Sequence, residues 1–198
     1  MIFKNNWIIE NLITKNERKK ITNLVLSEAK VKDLKSLYRF ITQSDNEKLY
    51  NFNIRISKRK YIPTLEKKVL SRIQKKIKKK ISSFPVKVVR VVASNKDSQS
   101  PWHQDEGTWR HHDYLSNKKP FTCWLPVVAD IHNTLQVCLD EVALKKHRRD
   151  KLKRAFYKFK QKEIQNSEII NPKLGRGYIF SCFQPHRSFF NIKKKTVR

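Results

Sequence analysis

His103 and Asp105 stand two residues apart in the segment 101–126, PWHQDEGTWRHHDYLSNKKPFTCWLP. On an extended chain, residues i and i+2 project to the same face, so an imidazole nitrogen and a carboxylate oxygen can converge on one point. A third donor, His186, lies far downstream in the apolar segment LGRGYIFSCFQPHRSFFN. Two histidines and one carboxylate form the facial set that non-haem Fe(II) uses, leaving three coordination positions for a cosubstrate and O₂. The donor set alone leaves zinc open, because His₂-carboxylate sites also hold that ion. A zinc hydrolase needs a general base at the metal, and Glu106 falls on the opposite strand face from Asp105. A lone His-x-Asp pair is as often a rim histidine beside a solvated aspartate. The wider pattern has to decide.

Trp102-His103-Gln104-Asp105 is followed by Thr122-x-Trp124-Leu125-Pro126 and then by Asn133-x-Leu135-x-Val137. Leu174-Gly175 and Phe180 come next, with His186 six residues after that phenylalanine and Asn191 five further on. In this order the motifs resemble the phytanoyl-CoA dioxygenase-like branch of the Fe(II)/2-oxoglutarate oxygenases, over roughly residues 85–198 and more loosely before them.

The resemblance implies Fe(II) held by His103, Asp105 and His186, with 2-oxoglutarate and O₂ as cosubstrates and a small molecule as substrate. It implies an arginine of the final strand on the distal carboxylate of 2-oxoglutarate, where a bidentate fork suits the task. Arg198 is the nearest match, one residue further from the histidine than usual, and Arg90 is the second candidate. Trp124 would help wall the cosubstrate pocket, Thr122 would offer a hydroxyl to a carboxylate, and Ser188 stands at a small-hydroxyl position just after the histidine. Trp109 and His111 are candidates for the pocket rim. Asp105 is present rather than lost, so hydroxylation is the implied outcome rather than halogenation.

The chain also departs from that family. The P-G-S-H turn expected after the N-G-x-L-x-V strand is replaced by a basic segment, and Gly175-Arg176 stands where Gly-Asp is usual. Family members continue past the position of Arg198 through a closing strand. The competing reading is a catalytically inactive oxygenase-fold protein that binds nucleic acid or an anionic surface through its basic face.

The elements that must position these residues are read from periodicity. Residues 7–9 are strand-like, and Thr14 with Glu17 makes a capping box for a helix carrying Ile21, Leu24 and Val25. A second helix is expected over 31–43. Tyr50, Phe52, Ile54 and Ile56 alternate with polar residues, which predicts a half-buried strand. Thr64 is placed as the cap of a third helix over 65–81, lined by Leu70, Ile73, Ile77 and Ile81. Its other side is lysine-rich (Lys67, Lys68, Lys75, Lys76, Lys78, Lys79 and Lys80), a candidate contact for nucleic acid or an anionic membrane surface. Few arginines and no aromatics accompany it, so a merely solvated helix face is the plainer account.

Residues 84–93 predict a central strand interrupted by the charge of Arg90. Strands follow at 121–128 and 134–139. A basic helical insert is expected at about 141–165, then a strand at 178–183 whose end presents His186, then a closing strand from Phe189. Together these predict one domain over 1–198. A helical and strand region, 1–83, precedes an 84–198 core. The class is mainly β with flanking helices (α+β), a cupin-like double-stranded β-helix or jelly roll. An irregular α+β domain is the alternative pattern.

The length of 198 residues suits one filled core. The net charge of +28 implies self-repulsion and attraction to polyanions, without making such binding the function. The excess is mostly lysine, with abundant Asn and Ile, a profile that A/T-rich coding also gives. Cys123, Cys138 and Cys182 are odd in number, widely spaced and set in apolar runs, which predicts free thiols in a reducing compartment. Neither a signal peptide nor an apolar run long enough to cross a bilayer is seen, so the expectation is a cytoplasmic protein.

Overall fold

The computed structural model describes residues 7–78, 80–81, 89–92, 100–105, 121–128, 133–139, 148–149, 155–156, 159 and 161–190. The first helix, α1 (Lys15–Ala29), begins where its cap dictates. The Thr14 hydroxyl accepts from the Glu17 N–H at 3.2 Å, and the Glu17 carboxylate accepts from the Thr14 N–H at 2.9 Å. Asp33 and Asp45 cap α2 (Leu34–Gln43) and α3 (Asn46–Ser57) in the same way, each accepting an N–H three residues on at 2.7 Å. The fourth helix, α4 (Tyr61–Ile77), lacks a side-chain cap and ends at Lys78 in the left-handed conformation.

Two of these helices differ from what the sequence predicts. Residues 50–56 form the body of α3 rather than a strand: Phe52 and Ile56, four apart, are fully buried, whereas Tyr50 is 66% exposed. The alternation was real, but Asp45 fixes a helix start and the i, i+4 pair supplies its buried face. Thr64 is not a cap. It sits inside α4 and donates to the Lys60 carbonyl at 3.1 Å, while the buried stripe runs Ile62, Leu65, Val69, Ile73. Ile81 lies beyond the helix, and its carbonyl accepts from Gln74 Nε2.

Among the described residues, six strands form two three-stranded antiparallel sheets. In the first, β1 (Trp7–Ile9) and β2 (Phe121–Trp124) flank β7 (Gly177–Ser181); in the second, β6 (Ser167–Ile170) and β8 (His186–Phe190) flank β3 (Asn133–Cys138). The centre of β7 faces two ways, as alternation requires. Ile179 joins Ile9 and the helices in one core, while Tyr178 and Phe180 meet Leu135, Val137 and Ile170 of the second sheet. The first sheet is therefore sandwiched between helices and the second sheet.

The fold is α+β. Its four helices hold more described residues than its strands, so it is less β-rich than the sequence suggests, and the described strands make separate sheets rather than one closed barrel. Within the expected basic helix, Arg148–Arg149 (β4) pairs antiparallel with Ala155–Phe156 (β5), and a 3₁₀ turn covers Gln161–Glu163. Of the apolar residues there, Val142 and Leu144 are out of helical phase, and only Leu152, Phe156 and Phe159 keep a four-then-three spacing. Residues 89–92 have no strand ladder among the described residues. Val89 N–H donates to Ser57 Oγ at 2.9 Å and Val91 N–H to Asn53 Oδ1 at 3.0 Å, which docks this segment on α3. No described helix is long and apolar enough to cross a membrane. None of the three cysteines is in a disulfide, and burial pushes the Cys123 thiol up to about 12.

An ion pair ties α4 to the start of α1. Arg72 of α4 grips Glu17 with both terminal nitrogens at 2.7 and 2.9 Å and also donates to the Leu12 carbonyl at 2.8 Å. The Arg72 hydrogen bonds lower the Glu17 carboxyl from 4.5 to about 2. A depressed carboxyl contributes stability that is complete above its unfolded value and lost as pH falls through the folded one. Glu17→Gln should therefore cost about 1–2 kcal/mol in denaturant unfolding at pH 7. The gap to wild type should narrow steadily between pH 4.5 and about 2.

Candidate metal centre

His103 and His186 are brought together by backbone pairing. They form an isolated antiparallel bridge in which His103 N–H donates to the His186 carbonyl at 3.0 Å and His186 N–H donates to the His103 carbonyl at 2.9 Å. Residues directly opposite in such a pair project to the same side, and the two rings sit 4.3 Å apart between centroids. Asp105, two residues past His103, returns to that side. Its Oδ1 lies 3.8 Å from His103 Nε2 and 3.5 Å from His186 Nε2. One ligand atom from each of the three residues falls within a common 4.8 Å. Two donors that each sit about 2.1 Å from an ion are at most about 4.2 Å apart, so the carboxylate is within bridging distance of both imidazoles.

The imidazoles are also oriented for ligation. His103 Nδ1 lies 2.8 Å from the Pro101 carbonyl and His186 Nδ1 lies 3.1 Å from the Gln184 carbonyl. A carbonyl only accepts, so each Nδ1 carries a proton and each Nε2 is the ring nitrogen directed at Asp105. The other carboxylate oxygen, Asp105 Oδ2, accepts a hydrogen bond from the Thr122 hydroxyl. Thr122 Oγ1 also lies 3.4 Å from Cys182 Sγ.

Charge in this site is tightly linked. Burial pushes His103 down to about 3, and the neighbouring His186 adds to the effect. At Asp105 burial works against ionisation, but His186, His103 and the Thr122 hydroxyl together outweigh it and hold the carboxyl well below its usual range. At His186 burial opposes the charge, yet the Asp105 carboxylate raises the imidazole. A neutral imidazole, an ionised carboxylate and a histidine that shares its charge form a donor set suited to a divalent cation. The Asp105 side chain remains 21% exposed, so the cluster is not sealed.

Several buried polar groups hold this arrangement, and the sequence did not mark them. Gln104 points to the opposite side from its neighbours, is fully buried, and donates to the Phe183 carbonyl at 2.6 Å. Gln184 accepts from Ser181 N–H and donates to the Cys138 carbonyl, which fixes the turn between β7 and β8. Ser100 Oγ accepts from Ser188 N–H at 2.9 Å and donates to Ser188 Oγ at 3.0 Å, so the approach to His103 is latched to β8. A glutamine between two same-face ligands must face the core, and that is the one signal Gln104 offered.

The remaining predicted site residues are distributed as follows. Ser188 is on the His186 face of β8 and is engaged by Ser100. The Trp124 ring lies tilted, 5.4 Å from that of Tyr178, in the core between the sheets, while Phe180 meets the His186 ring edge-on at 4.9 Å. Arg90 is exposed, and its positive charge acts on Asp105, His103 and His186. Arg187 takes the other face of β8, donating to Gln136 Oε1 at 2.8 Å with its guanidinium 4.9 Å from the Trp102 ring. His186 opens β8 instead of closing β7, because residues 182–185 form the intervening turn and Pro185 has no N–H for a ladder. Arg198, Asn191, Trp109, His111 and Glu106 lie outside the described residues.

Thr122→Val keeps the shape of the side chain and removes the donor to Asp105. It should weaken metal affinity about tenfold or more, measured by competition with a chromophoric chelator. No protein-family model and no curated protein matches the chain.

Proposed function

We propose that the chain is an Fe(II)- and 2-oxoglutarate-dependent dioxygenase that hydroxylates a small molecule, with the two sheets as opposing faces of a double-stranded β-helix. The observation that carries this reading is the His103–His186 bridge, which aims two Nε2 atoms and one Asp105 oxygen at a common point. The motifs in residues 85–198 supply the preference for iron. Bound Fe(II) would supply the open positions at which 2-oxoglutarate and O₂ react, giving succinate, CO₂ and a hydroxylated substrate.

The chain's own residues orient and shield. Thr122 restrains one oxygen of Asp105, leaving the other for the metal. Phe180, in the same core cluster as Trp124 and Tyr178, places an apolar ring against His186 that limits water there. Arg90 is a described arginine whose charge acts on both histidines of the cluster, so it is the partner we assign to the distal carboxylate of the 2-oxo acid.

The test is succinate formation from 2-oxoglutarate with Fe(II) and O₂. His103→Ala should lower it by about two orders of magnitude or more, while Arg90→Ala should chiefly raise the 2-oxoglutarate concentration required. Succinate formation that is absent from the wild type, or untouched by His103→Ala, contradicts the proposal.

A further inference from the structure

A second feature lies away from the metal cluster and does not depend on it. At the end of α3, Arg55 and Arg59 converge on Glu28 of α1. Arg55 Nε donates to Glu28 Oε1 at 3.1 Å, and Arg59 Nε donates to Oε2 at 2.9 Å, with a further bond from Arg59 Nη2 to Oε2. The Glu28 side chain is only 9% exposed, whereas those of Arg55 and Arg59 are 54% and 56% exposed. The carboxylate thus works as an internal brace. It consumes the inner nitrogens and fixes the planes of both guanidinium groups.

What the brace leaves over is donor capacity. Among the described residues, neither Nη of Arg55, nor Nη1 of Arg59, nor Nζ of Lys58 has a hydrogen-bond partner. Arg55, Lys58 and Arg59 line an open depression of about 310 Å³. Three cations face one carboxylate there. Even with about half a negative charge from the α3 C-terminus, the depression stays positive. Two held guanidinium forks and a mobile ammonium match the oxygens of a phosphate group.

We infer that Arg55, Lys58 and Arg59 form a preorganised phosphate site, braced by Glu28, that engages the backbone of a nucleic acid. The net charge of +28 steers the chain toward any polyanion. One observation favours a nucleic acid over a lipid bilayer. The apolar stripe of α4 (Ile62, Leu65, Val69, Ile73) is buried in the core, so this basic helix has no apolar face to insert among acyl chains. The exposed lysines of α4 (Lys67, Lys68, Lys75 and Lys76) add charge without fixed geometry.

The test is fluorescence anisotropy with a labelled mixed-sequence DNA duplex, using full-length protein and a salt series. Arg55→Lys/Arg59→Lys keeps the net charge and can still pair with Glu28, yet it should weaken binding about fivefold or more by removing both forks. Glu28→Gln is the sharper variant. It raises the net charge by one, but should weaken binding because the forks lose their brace. Lys67→Ala/Lys68→Ala removes two charges and should weaken binding less than the arginine pair does. Circular dichroism melts establish that each variant is folded.

Four results would overturn the inference. They are stronger binding by Glu28→Gln, losses that follow net charge alone, no salt-sensitive binding by the wild type, and a preference for phosphatidylserine vesicles that the arginine variant leaves intact.

Discussion

His186→Ala is expected to reduce bound Fe(II) from about one equivalent per chain to less than about a tenth under anaerobic conditions. The size of this effect follows from position. His186 is the most buried of the three donors, with a side chain 7% exposed, and its Nε2 lies closer to Asp105 than that of His103 does. Removing the ring deletes one of three donors and also the positive partner that keeps Asp105 ionised. Alanine leaves the backbone bridge to His103 in place, because both of its hydrogen bonds are main-chain. The fold should therefore survive while metal binding does not. Thermal unfolding together with metal analysis of the same sample separates the two. Loss of folding along with metal would indicate that His186 serves the core rather than the ion.

The largest effect on stability should come from Phe52→Ala, at about 3–5 kcal/mol. Phe52 is fully buried and packs its ring 5.1 Å from that of Phe40, joining α3 to α2. Its neighbour in the stripe, Ile56, is equally buried, so little can collapse into the space left behind. Denaturant unfolding by tryptophan fluorescence reads the loss directly. Because α3 also anchors residues 89–92 through Asn53 and Ser57, the variant should loosen Arg90 while leaving all three metal donors in place. Below its unfolding transition it should still bind about one Fe(II) per chain while requiring more 2-oxoglutarate.

How far the sequence could be read depended on whether local signals met tertiary ones. The capping box of Thr14 and Glu17 is self-contained, and α1 starts where it says. The stretch from Tyr50 to Ile56 misled because bulky residues at alternate positions also satisfy a helical i, i+4 pair in Phe52 and Ile56. Asp45 broke that tie, and it was the signal to weigh. The start of α4 carries no side-chain cap at all, so its register could come only from the core it packs against.

At the candidate site strand alternation puts His103 and Asp105 on one face, and the motif resemblance joined His186 to them. What builds their closure with His186 was not legible. It rests on a single backbone bridge between distant segments and on Gln104, Gln184 and Ser100, polar residues whose partners are main-chain groups or one another's strands. Composition cannot reveal such pairings. Thr122 was expected to address a bound carboxylate, and its hydroxyl is instead turned to the protein's own Asp105.

The most direct measurement is an anaerobic titration of the purified chain with Fe(II) in the presence of 2-oxoglutarate, followed by visible absorption. If the three side chains gather one ferrous ion with positions to spare, a weak charge-transfer band should grow and saturate at about one iron per chain. The band should be missing in His103→Ala, Asp105→Ala and His186→Ala alike. A wild-type protein that takes up no iron, or a band that persists after any one of these replacements, would contradict the account.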